Sequence, residues 1–380
     1  MTSAVDPPMQ GASTALVYDF LLVPGGAEQV TLHLLERHPD WRLFTGFVDT
    51  RAFANARLPR NRIEALGKPV RHPARQARRV MRVFRREGRA LGDFDRVLFS
   101  GVYAPVGARH RPRGGNAYYC HTPPRFAYDL EDWYLARARP WERPLLRGLA
   151  RDVRARYSDA LGRMDRVAAN SHTVRRRLER HLGLAEVEVI HPPVETRSWR
   201  WSEPEGYYLS NARLEPYKRV EWAVRAFMAM PDRQLVVASG GSELDRLRAL
   251  ASGRRNIRFT GWCGPAELRR LTAACIATLY LARDEDFGMS PVESMAAGKP
   301  VIGVAEGGLL ETVRPGETGI LLDPAVAEDT DALCAAVRAL DPASARHMRR
   351  DCERRAREFD ADLFDQAIDR FLDGTGKQYR

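Results

Sequence analysis

The chain has 380 residues, 44% of them hydrophobic and 29% charged. This length favours two domains, and the composition excludes a disordered, collagen-like or coiled-coil protein. Five cysteines without a C-x-x-C pair argue against a disulfide framework or a structural zinc site and fit a reducing cytoplasm. No apolar run approaches the roughly 20 residues of a membrane-spanning helix. Residues 1–13 lack the apolar core of a secretion signal and are predicted to be a disordered tail.

The net charge of +11 is concentrated in the first half of the chain. Residues 1–200 hold 35 Lys and Arg against 21 Asp and Glu, whereas residues 201–380 hold 25 against 28. This asymmetry predicts an anionic partner for the first half, either nucleic acid, a membrane surface or a phosphorylated substrate. A genomic bias towards arginine is the alternative, since 56 arginines accompany four lysines, but it does not explain the asymmetry.

The predicted elements of the first half alternate between strands and helices. Strands are predicted at residues 15–18, 96–100, 116–120, 166–169 and 187–190. Helices are predicted at residues 27–37 and 174–182, and Ser171 is a suitable cap for the second. Residues 195–206 are polar and interrupted by Trp199, Trp201 and Pro204, which predicts a linker.

The alternation restarts at residue 207. Strands are predicted at residues 207–210, 234–238, 256–260, 276–280 and 300–304. Helices are predicted between and after them at residues 219–230, 243–251, 265–274, 291–297 and 309–313. Repeated strand–helix units predict parallel sheets with helices on both faces. We therefore predict an α/β protein of two facing, Rossmann-like doubly wound domains, with ligands in the cleft beyond the carboxyl ends of the strands.

The most basic segment is residues 68–89, from Lys68 to Arg89, with nine Lys or Arg, His72 and the single acid Glu87. Apolar residues are interleaved with the basic ones. One interpretation is a basic amphipathic helix that lies on anionic lipid headgroups. The alternative is a solvated helix whose apolar side packs on its own domain.

Residues 283–302 carry the densest chemical signal. A loop containing Gly288 precedes a helix whose start is predicted at Pro291, with Ser290 as its cap. The free N–H groups of a helix start suit a phosphate. Glu285 precedes this helix and Glu293 is predicted in its first turn, so both carboxylates can point at a ligand there and accept hydrogen bonds from sugar hydroxyls.

In this setting Glu285 and Glu293 resemble the E-x7-E motif of the retaining, family-4 glycosyltransferases, which have the GT-B fold. The resemblance covers about residues 15–320, and its motifs are specific only in combination. The segment from Arg213 to Lys218 resembles the element that holds a nucleotide-sugar diphosphate. Three glycine-containing loops also match the family: Gly25-Gly26, Ser239-Gly240-Gly241, and Glu306-Gly307-Gly308 to Glu311-Thr312. His121-Thr-Pro-Pro-Arg125 to Asp129 resembles the signature of a bacterial branch that contains mannosyltransferases of O-antigen and exopolysaccharide assembly.

The resemblance implies a role for each matching residue. Arg213 and Lys218 would neutralise the diphosphate of the leaving group. Glu285 would contact the transferred sugar, Glu293 the ribose hydroxyls, and His121 the donor sugar near the reaction centre. Further donor-binding residues would be Gly25, Gly26, Ser239, Gly240, Gly288, Met289 and Ser290.

The resemblance also implies an activity. It is the retaining transfer of a hexose, with GDP-mannose as the favoured donor and a lipid-linked oligosaccharide as acceptor, in the cytoplasm at the inner face of the cell membrane. No cofactor is required; the run Asp284 to Asp286 could indicate a metal site, but the resembled family works without a metal. UDP- or dTDP-sugar donors are the alternative, and a nucleic-acid-binding protein or a non-catalytic subunit are remote ones.

The resemblance implies a domain plan as well. An acceptor-side domain would cover residues 14–196 and a nucleotide-sugar domain residues 197–355. Residues 356–380 would form a last helix that could cross back to the first domain. Three aromatic residues, Trp133, Tyr134 and Trp141, are assigned to the core in preference to an acceptor-facing surface.

Overall fold

The computed structural model describes residues 13–53, 58–70, 73–109 and 115–374. Its chain divides into two compact units. The first unit comprises residues 1–170, 174–190 and 368–380, and the second comprises residues 171–173 and 191–367. Most of the expected tail at residues 1–13 lies outside the described residues; Ser13 is described and its hydroxyl donates to Asp95 at 2.9 Å.

The first unit is built on a seven-stranded parallel sheet in the order β3-β2-β1-β4-β5-β6-β7. The strands are β1 (Thr14–Tyr18), β2 (Arg42–Thr45), β3 (Ile63–Ala65), β4 (Arg96–Ser100), β5 (Gly115–Cys120), β6 (Arg166–Ala169) and β7 (Glu188–Val189). The helices are α1 (Gly26–Arg37), α2 (Pro73–Glu87), α3 (Glu131–Arg137), α4 (Arg143–Leu161) and α5 (His172–Leu182), whose first two residues belong to the second unit. β1 is buried along its whole length, as a central parallel strand requires.

The second unit is built on a six-stranded parallel sheet in the order β10-β9-β8-β11-β12-β13. Its strands are β8 (Tyr207–Ser210), β9 (Gln234–Val237), β10 (Ile257–Phe259), β11 (Thr278–Tyr280), β12 (Val301–Val304) and β13 (Gly319–Leu322). Its helices are α6 (Val220–Met228), α7 (Leu244–Leu250), α8 (Pro265–Ala274), α9 (Met289–Ala296), α10 (Leu309–Thr312), α11 (Thr330–Ala339), α12 (Pro342–Arg357) and α13 (Ala361–Asp373), which ends in the first unit.

The predicted α/β class with doubly wound parallel sheets is confirmed in each unit. In both sheets the strand order reverses beside the first strand of the unit, which is the Rossmann order. Right-handed crossovers in that order place helices on both faces of a sheet. The carboxyl ends of the central strands are therefore where each unit can present side chains to a ligand.

Residues 195–206, predicted to be a linker, belong to the second unit. Trp199 is buried, and the guanidinium of Arg349 lies 4.1 Å from the centre of the Trp201 ring. Lys299 approaches the same ring at 5.0 Å. The segment packs on the second unit because its two tryptophans remove large apolar surfaces from water.

Helix α2, in the basic segment, packs its apolar side on its own unit, which is the second of the two interpretations given for that segment. Ala77, Val80, Met81 and Phe84 are buried in the core of the first unit, so the apolar side of the helix packs on its own unit. Its arginines remain on the exposed side. His72 lies outside the described residues.

Two of the three aromatic residues assigned to the core are exposed. Trp141 keeps 67% of its surface in solvent and Tyr134 keeps 36%, so the core assignment is wrong for both. Trp133 is half-buried, and the guanidinium of Arg137 stacks 3.8 Å from its ring centre.

Among the described residues, no helix combines the length and the apolar character needed to cross a bilayer.

Candidate functional site

Lys218 and Glu285 are in direct contact in the second unit. A short 3-10 turn, Pro216–Lys218, follows β8 and places the ammonium group of Lys218 2.5 Å from the Glu285 carboxylate. The same ammonium donates to the Tyr280 hydroxyl at 3.1 Å. Burial lowers the pKa of Lys218, but the Glu285 carboxylate, Tyr280 and Tyr217 together raise it by more, so the pKa lies above its usual value. Lys218 therefore remains a cation at neutral pH.

Arg213, on the same loop, has a different environment. Its side chain is exposed, and the described part of the chain offers it no hydrogen-bond or ion-pair partner. Arg219, which the sequence analysis did not single out, is buried instead and lies 2.5 Å from the Glu306 carboxylate. Its φ of 49° ends the loop and lets α6 begin at Val220. Arg219 is thus engaged within the protein, whereas Arg213 is available to a ligand.

The loop that carries Glu285 is packed closely against the glycine pair of residues 307 and 308. A Cβ on Gly307, whose φ is 59°, would lie 2.3 Å from the carbonyl oxygen of Glu285. The N–H of Gly308 donates to that oxygen at 2.7 Å. Only glycine at these positions lets the two backbones approach, so the pair fixes the Glu285 loop.

The start of α9 differs from the prediction. The helix begins at Met289 with Gly288 as its cap, because the φ of 91° at Gly288 turns the chain into the helix two residues before Pro291. Gly288 has no side chain that could cap the helix, so the first N–H groups of α9 have no side-chain acceptor among the described residues. Met289 and Ser290 lie in its first turn and are half-buried. This end can bind an anion.

Glu293 lies in the second turn of α9 rather than in its first turn. Its side chain is largely buried, and burial raises its pKa to about 7. A hydrogen bond with the Ser290 side chain acts in the opposite direction and limits the rise. Near neutral pH the carboxyl of Glu293 can therefore both accept and donate a hydrogen bond.

Ser239 and Gly240 follow β9. A Cβ on Gly240 would lie 2.3 Å from the indole nitrogen of Trp262, so a larger residue at this position would displace the ring. Trp262 nevertheless keeps 60% of its surface in solvent. The sequence analysis did not single out Trp262, although an exposed tryptophan beside a glycine loop is a suitable face for a planar ligand.

His121 follows β5 in the first unit. Its Nε2 lies 2.8 Å from the hydroxyl of Ser100, the last residue of β4, and the rings of Tyr18 and Tyr119 meet it edge-on. Burial lowers the pKa of His121 to about 4. The imidazole is therefore neutral at pH 7 and can exchange hydrogen bonds without carrying charge.

Asp19 is a functional candidate that the sequence analysis missed. It follows β1, and its carboxylate accepts hydrogen bonds from the N–H groups of Val102, Tyr103 and Ala104 at 2.6–2.7 Å. Burial raises its pKa to about 7 in spite of these bonds. The signal was its position, since an acid directly after an apolar first strand lies at the carboxyl edge of the sheet. Asp19 organises the loop after β4.

The remaining predicted residues of the first unit have structural contacts. Gly25 caps α1 and Gly26 is its first residue, so both lie at a helix start. Arg125 pairs with Asp129 at 2.8 Å, which accounts for the presence of an acid after the His-Thr-Pro-Pro-Arg sequence. Arg177, which is buried, also approaches Asp129 at 3.6 Å.

Glu311 accepts hydrogen bonds at the start of α5. The N–H groups of His172 and Thr173 and the hydroxyl of Thr173 each donate to it at 2.7 Å. Although burial raises the pKa of Glu311, these hydrogen bonds, together with the His191 ring, whose Nε2 lies 3.7 Å from the carboxylate, hold it at about 2. Ligand atoms of His172, His191 and Glu311 lie within 4.8 Å of one another and could hold a metal ion. The expectation of a metal-free reaction stays a prediction.

Two family models match the chain. The model of the glycosyl transferases group 1 matches residues 194–359, and the model of glycosyltransferase family 4 matches residues 24–198. Together they extend from residue 24 to residue 359.

Curated relatives are similar over part of the chain. The glycogen synthase of Mycobacterium tuberculosis is 32% identical over 189 residues, which are 46% of this chain and 44% of that protein. The alpha-1,3/1,6-mannosyltransferase ALG2 of Dictyostelium discoideum is 48% identical over 58 residues, which are 15% of this chain and 14% of that protein. The chain thus spans less than half the length of the curated relatives it matches.

Solved structures are similar over nearly the whole chain. Sucrose-phosphate synthase from Thermosynechococcus elongatus has a TM-score of 0.74 at 18% identity, covering 95% of this chain and 99% of that one. Anabaena Alr3699/HepE in complex with UDP and glucose has a TM-score of 0.72 at 17% identity, with the same coverage of both chains. These likenesses confirm the GT-B fold.

Proposed function

Since the chain belongs to the family-4 glycosyltransferases, we propose that it transfers a hexose from a nucleotide-sugar donor to a saccharide acceptor with retention of anomeric configuration. The observation that carries this proposal is the contact of Lys218, on the turn after β8, with Glu285, on the loop that leads into the start of α9. This contact holds a cation that can bind a diphosphate next to a carboxylate that can accept a hydrogen bond from a sugar hydroxyl.

The proposed reaction depends on stabilising the departing nucleoside diphosphate. Negative charge develops on its terminal phosphate as the bond to the sugar breaks, and fixed positive groups lower the energy of that state. Lys218 is a permanent cation, and Arg213 is exposed and unpaired within the described residues. The N–H groups at the start of α9 add the positive end of a helix dipole.

The two glutamates have distinct proposed roles. Glu285 is held by Lys218 and by the glycine pair, so its carboxylate is pre-organised to accept a hydrogen bond from the transferred sugar. Glu293, with its raised pKa, suits the vicinal hydroxyls of a ribose, which both donate and accept hydrogen bonds. His121 is a proposed contact for the donor sugar, and its neutral imidazole argues for hydrogen bonding rather than acid catalysis.

The favoured donor is GDP-mannose. The His121-Thr-Pro-Pro-Arg125 resemblance to a mannosyltransferase branch supports it, as does the similarity to the mannosyltransferase ALG2. A UDP-sugar is the second candidate, supported by the similarity to a structure that contains UDP and glucose. In either case we propose that Trp262 stacks on the nucleobase, because its indole is exposed next to the loop of Ser239 and Gly240.

We further propose a lipid-linked acceptor at the inner face of the cell membrane. The exposed arginines of α2 would be attracted to anionic headgroups. Because the apolar side of α2 is buried, this attraction would be electrostatic, without insertion of the helix.

A transfer assay tests the proposal. The protein is incubated with GDP-mannose, UDP-glucose, UDP-galactose or dTDP-rhamnose and a bacterial lipid-linked saccharide extract, and the product is analysed by mass spectrometry and NMR. We expect one hexose to be added from GDP-mannose, with the anomeric configuration of the donor. Transfer from another donor would overturn the mannose assignment, inversion would overturn the retaining assignment, and release of no nucleoside diphosphate from any donor would overturn the activity.

A further inference from the structure

The first unit contains a cavity that is lined by none of the residues proposed above for sugar transfer. Its volume is about 870 Å³, and its walls are formed by α2, by residues 106–109 and by α4 together with Arg163, which follows that helix. Seven arginines and two aspartates line it. The cavity is therefore strongly basic, and the charges on its two helical walls differ in how they are compensated.

On the α4 wall the charges are compensated. Arg156 lies 2.7 Å from Asp152, and Arg163 lies 2.7 Å from Asp159, each pair one helical turn apart. Arg109, in the segment of residues 106–109, donates to a backbone carbonyl oxygen of α2 at 2.5 Å. These three guanidinium groups are held by the protein itself.

On the α2 wall most of the charges are not compensated. Arg86 lies 3.5 Å from the carboxylate of its neighbour Glu87. Arg78, Arg82 and Arg85 also line the cavity, and the described part of the chain provides no carboxylate partner for any of them. Three cations without a carboxylate partner in the described part of the chain therefore share one concave wall.

The spacing of these three arginines places them in a row. Positions separated by four and then three residues lie on one helical face, and seven residues extend over about 10 Å of helix. The row cannot rotate away from the cavity, because Val80 and Phe84 anchor the opposite side of α2 in the core. Like charges at this spacing repel, and a bound anion would remove that cost.

The chemistry of the row selects the kind of anion. Guanidinium groups match phosphate oxygens with paired hydrogen bonds. A row about 10 Å long exceeds what a single phosphate can contact and suits two linked phosphates. A concave, half-open cavity, moreover, can surround part of a discrete group, whereas a flat bilayer surface would contact only the outward arginines of the helix.

We propose that this cavity binds a diphosphate group, of the class that joins a saccharide to a lipid carrier. The identification of the ligand as the acceptor rests on the proposed function, and the diphosphate site itself does not. Bound there, the diphosphate would position a lipid-linked acceptor by its charged end and leave its saccharide free.

Titration calorimetry of the full chain tests this proposal with inorganic pyrophosphate and with farnesyl diphosphate. All proteins carry Arg213→Ala, so that the proposed donor site contributes little to pyrophosphate binding. The test variant is Arg82→Gln with Arg85→Gln. The matched control is Arg75→Gln with Arg79→Gln, which removes two exposed charges from the same helix outside the cavity.

The expected result is a loss of at least tenfold in affinity for both ligands in the test variant and less than threefold in the control. Equal losses in both variants, with similar losses on phosphatidylglycerol vesicles, would show that α2 only presents surface charge and would overturn the site. Pyrophosphate binding that is absent, or unchanged in the test variant, would overturn it as well. The melting shift with GDP, measured in parallel without Arg213→Ala, reports on the donor site, so failure of the proposed function would be seen separately.

Discussion

Replacing Arg213 by alanine is expected to weaken nucleoside diphosphate binding by about ten- to hundredfold, in line with the loss of one charge-assisted contact. The melting temperature of the free protein should not change, because the exposed Arg213 side chain has no partner among the described residues. The kcat/KM for sugar transfer should fall by about 10²–10³, since Arg213 also stabilises charge that grows during the reaction. Calorimetry, thermal unfolding and the transfer assay measure the three quantities.

The matched control is Arg254→Ala, which removes another exposed arginine of the second unit whose side chain has no partner among the described residues. It should leave nucleotide affinity and activity unchanged. Lys218→Ala should lose at least as much activity as Arg213→Ala, but it also removes the partner of Glu285 and should lower the melting temperature. Equal nucleotide affinity in Arg213→Ala and the wild type would contradict the assignment of Arg213.

Replacing Glu293 by glutamine is expected to stabilise the protein at pH 8 and to weaken nucleotide binding about tenfold. The native pKa of Glu293, about 7, lies above its ordinary value of 4.5 because of burial. Ionising this carboxyl in the folded protein therefore costs free energy. The glutamine side chain does not ionise, so the variant does not have this cost. A rise in pKa from 4.5 to about 7 corresponds to a cost of at most about 3 kcal/mol in the free energy of unfolding, and the partial exposure of Glu293 reduces this cost to about 1–2 kcal/mol.

The pH dependence follows from the direction of this shift. Between pH 4.5 and about 7 the native state holds the Glu293 proton that the unfolded state has lost, so stability falls as the pH rises through this window. In Glu293→Gln that fall should be smaller. Urea unfolding at pH 5 and pH 8 measures it, with Glu186→Gln, an exposed glutamate without a partner among the described residues, as control. A variant less stable than the wild type at pH 8 would contradict the assigned burial cost.

Ten of the thirteen strands in the described residues could be predicted because most of them are short apolar runs, whereas β2, β3 and β13 were not predicted. The start of α9 could not be placed correctly by the same signals. Ser290 and Pro291 indicated the cap and first residue, but the left-handed Gly288 turns the chain earlier. Proline is tolerated inside the first turn because the N–H groups there need no partner within the helix.

Individual site contacts were less predictable than the motifs. The pairing of Lys218 with Glu285 joins residues on the loops after two different strands, and no sequence spacing indicates it. The same holds for the approach of Gly307 to Glu285. Asp19 and Tyr280 were missed because only their position at the carboxyl end of a strand marks them, and many residues at such positions have no role in a site.

The most direct test of the donor site is the melting temperature of the wild type and Arg213→Ala with GDP, UDP, dTDP or ADP at saturating concentration. A ligand present at about 100 times its Kd adds about 2.7 kcal/mol to the stability of the fold that binds it. We predict a rise of several degrees for the wild type with GDP, and a clearly smaller rise for Arg213→Ala at the same concentration. A rise with another nucleotide would keep the site and change the donor. No rise with any of the four, or equal rises in both proteins, would contradict the account.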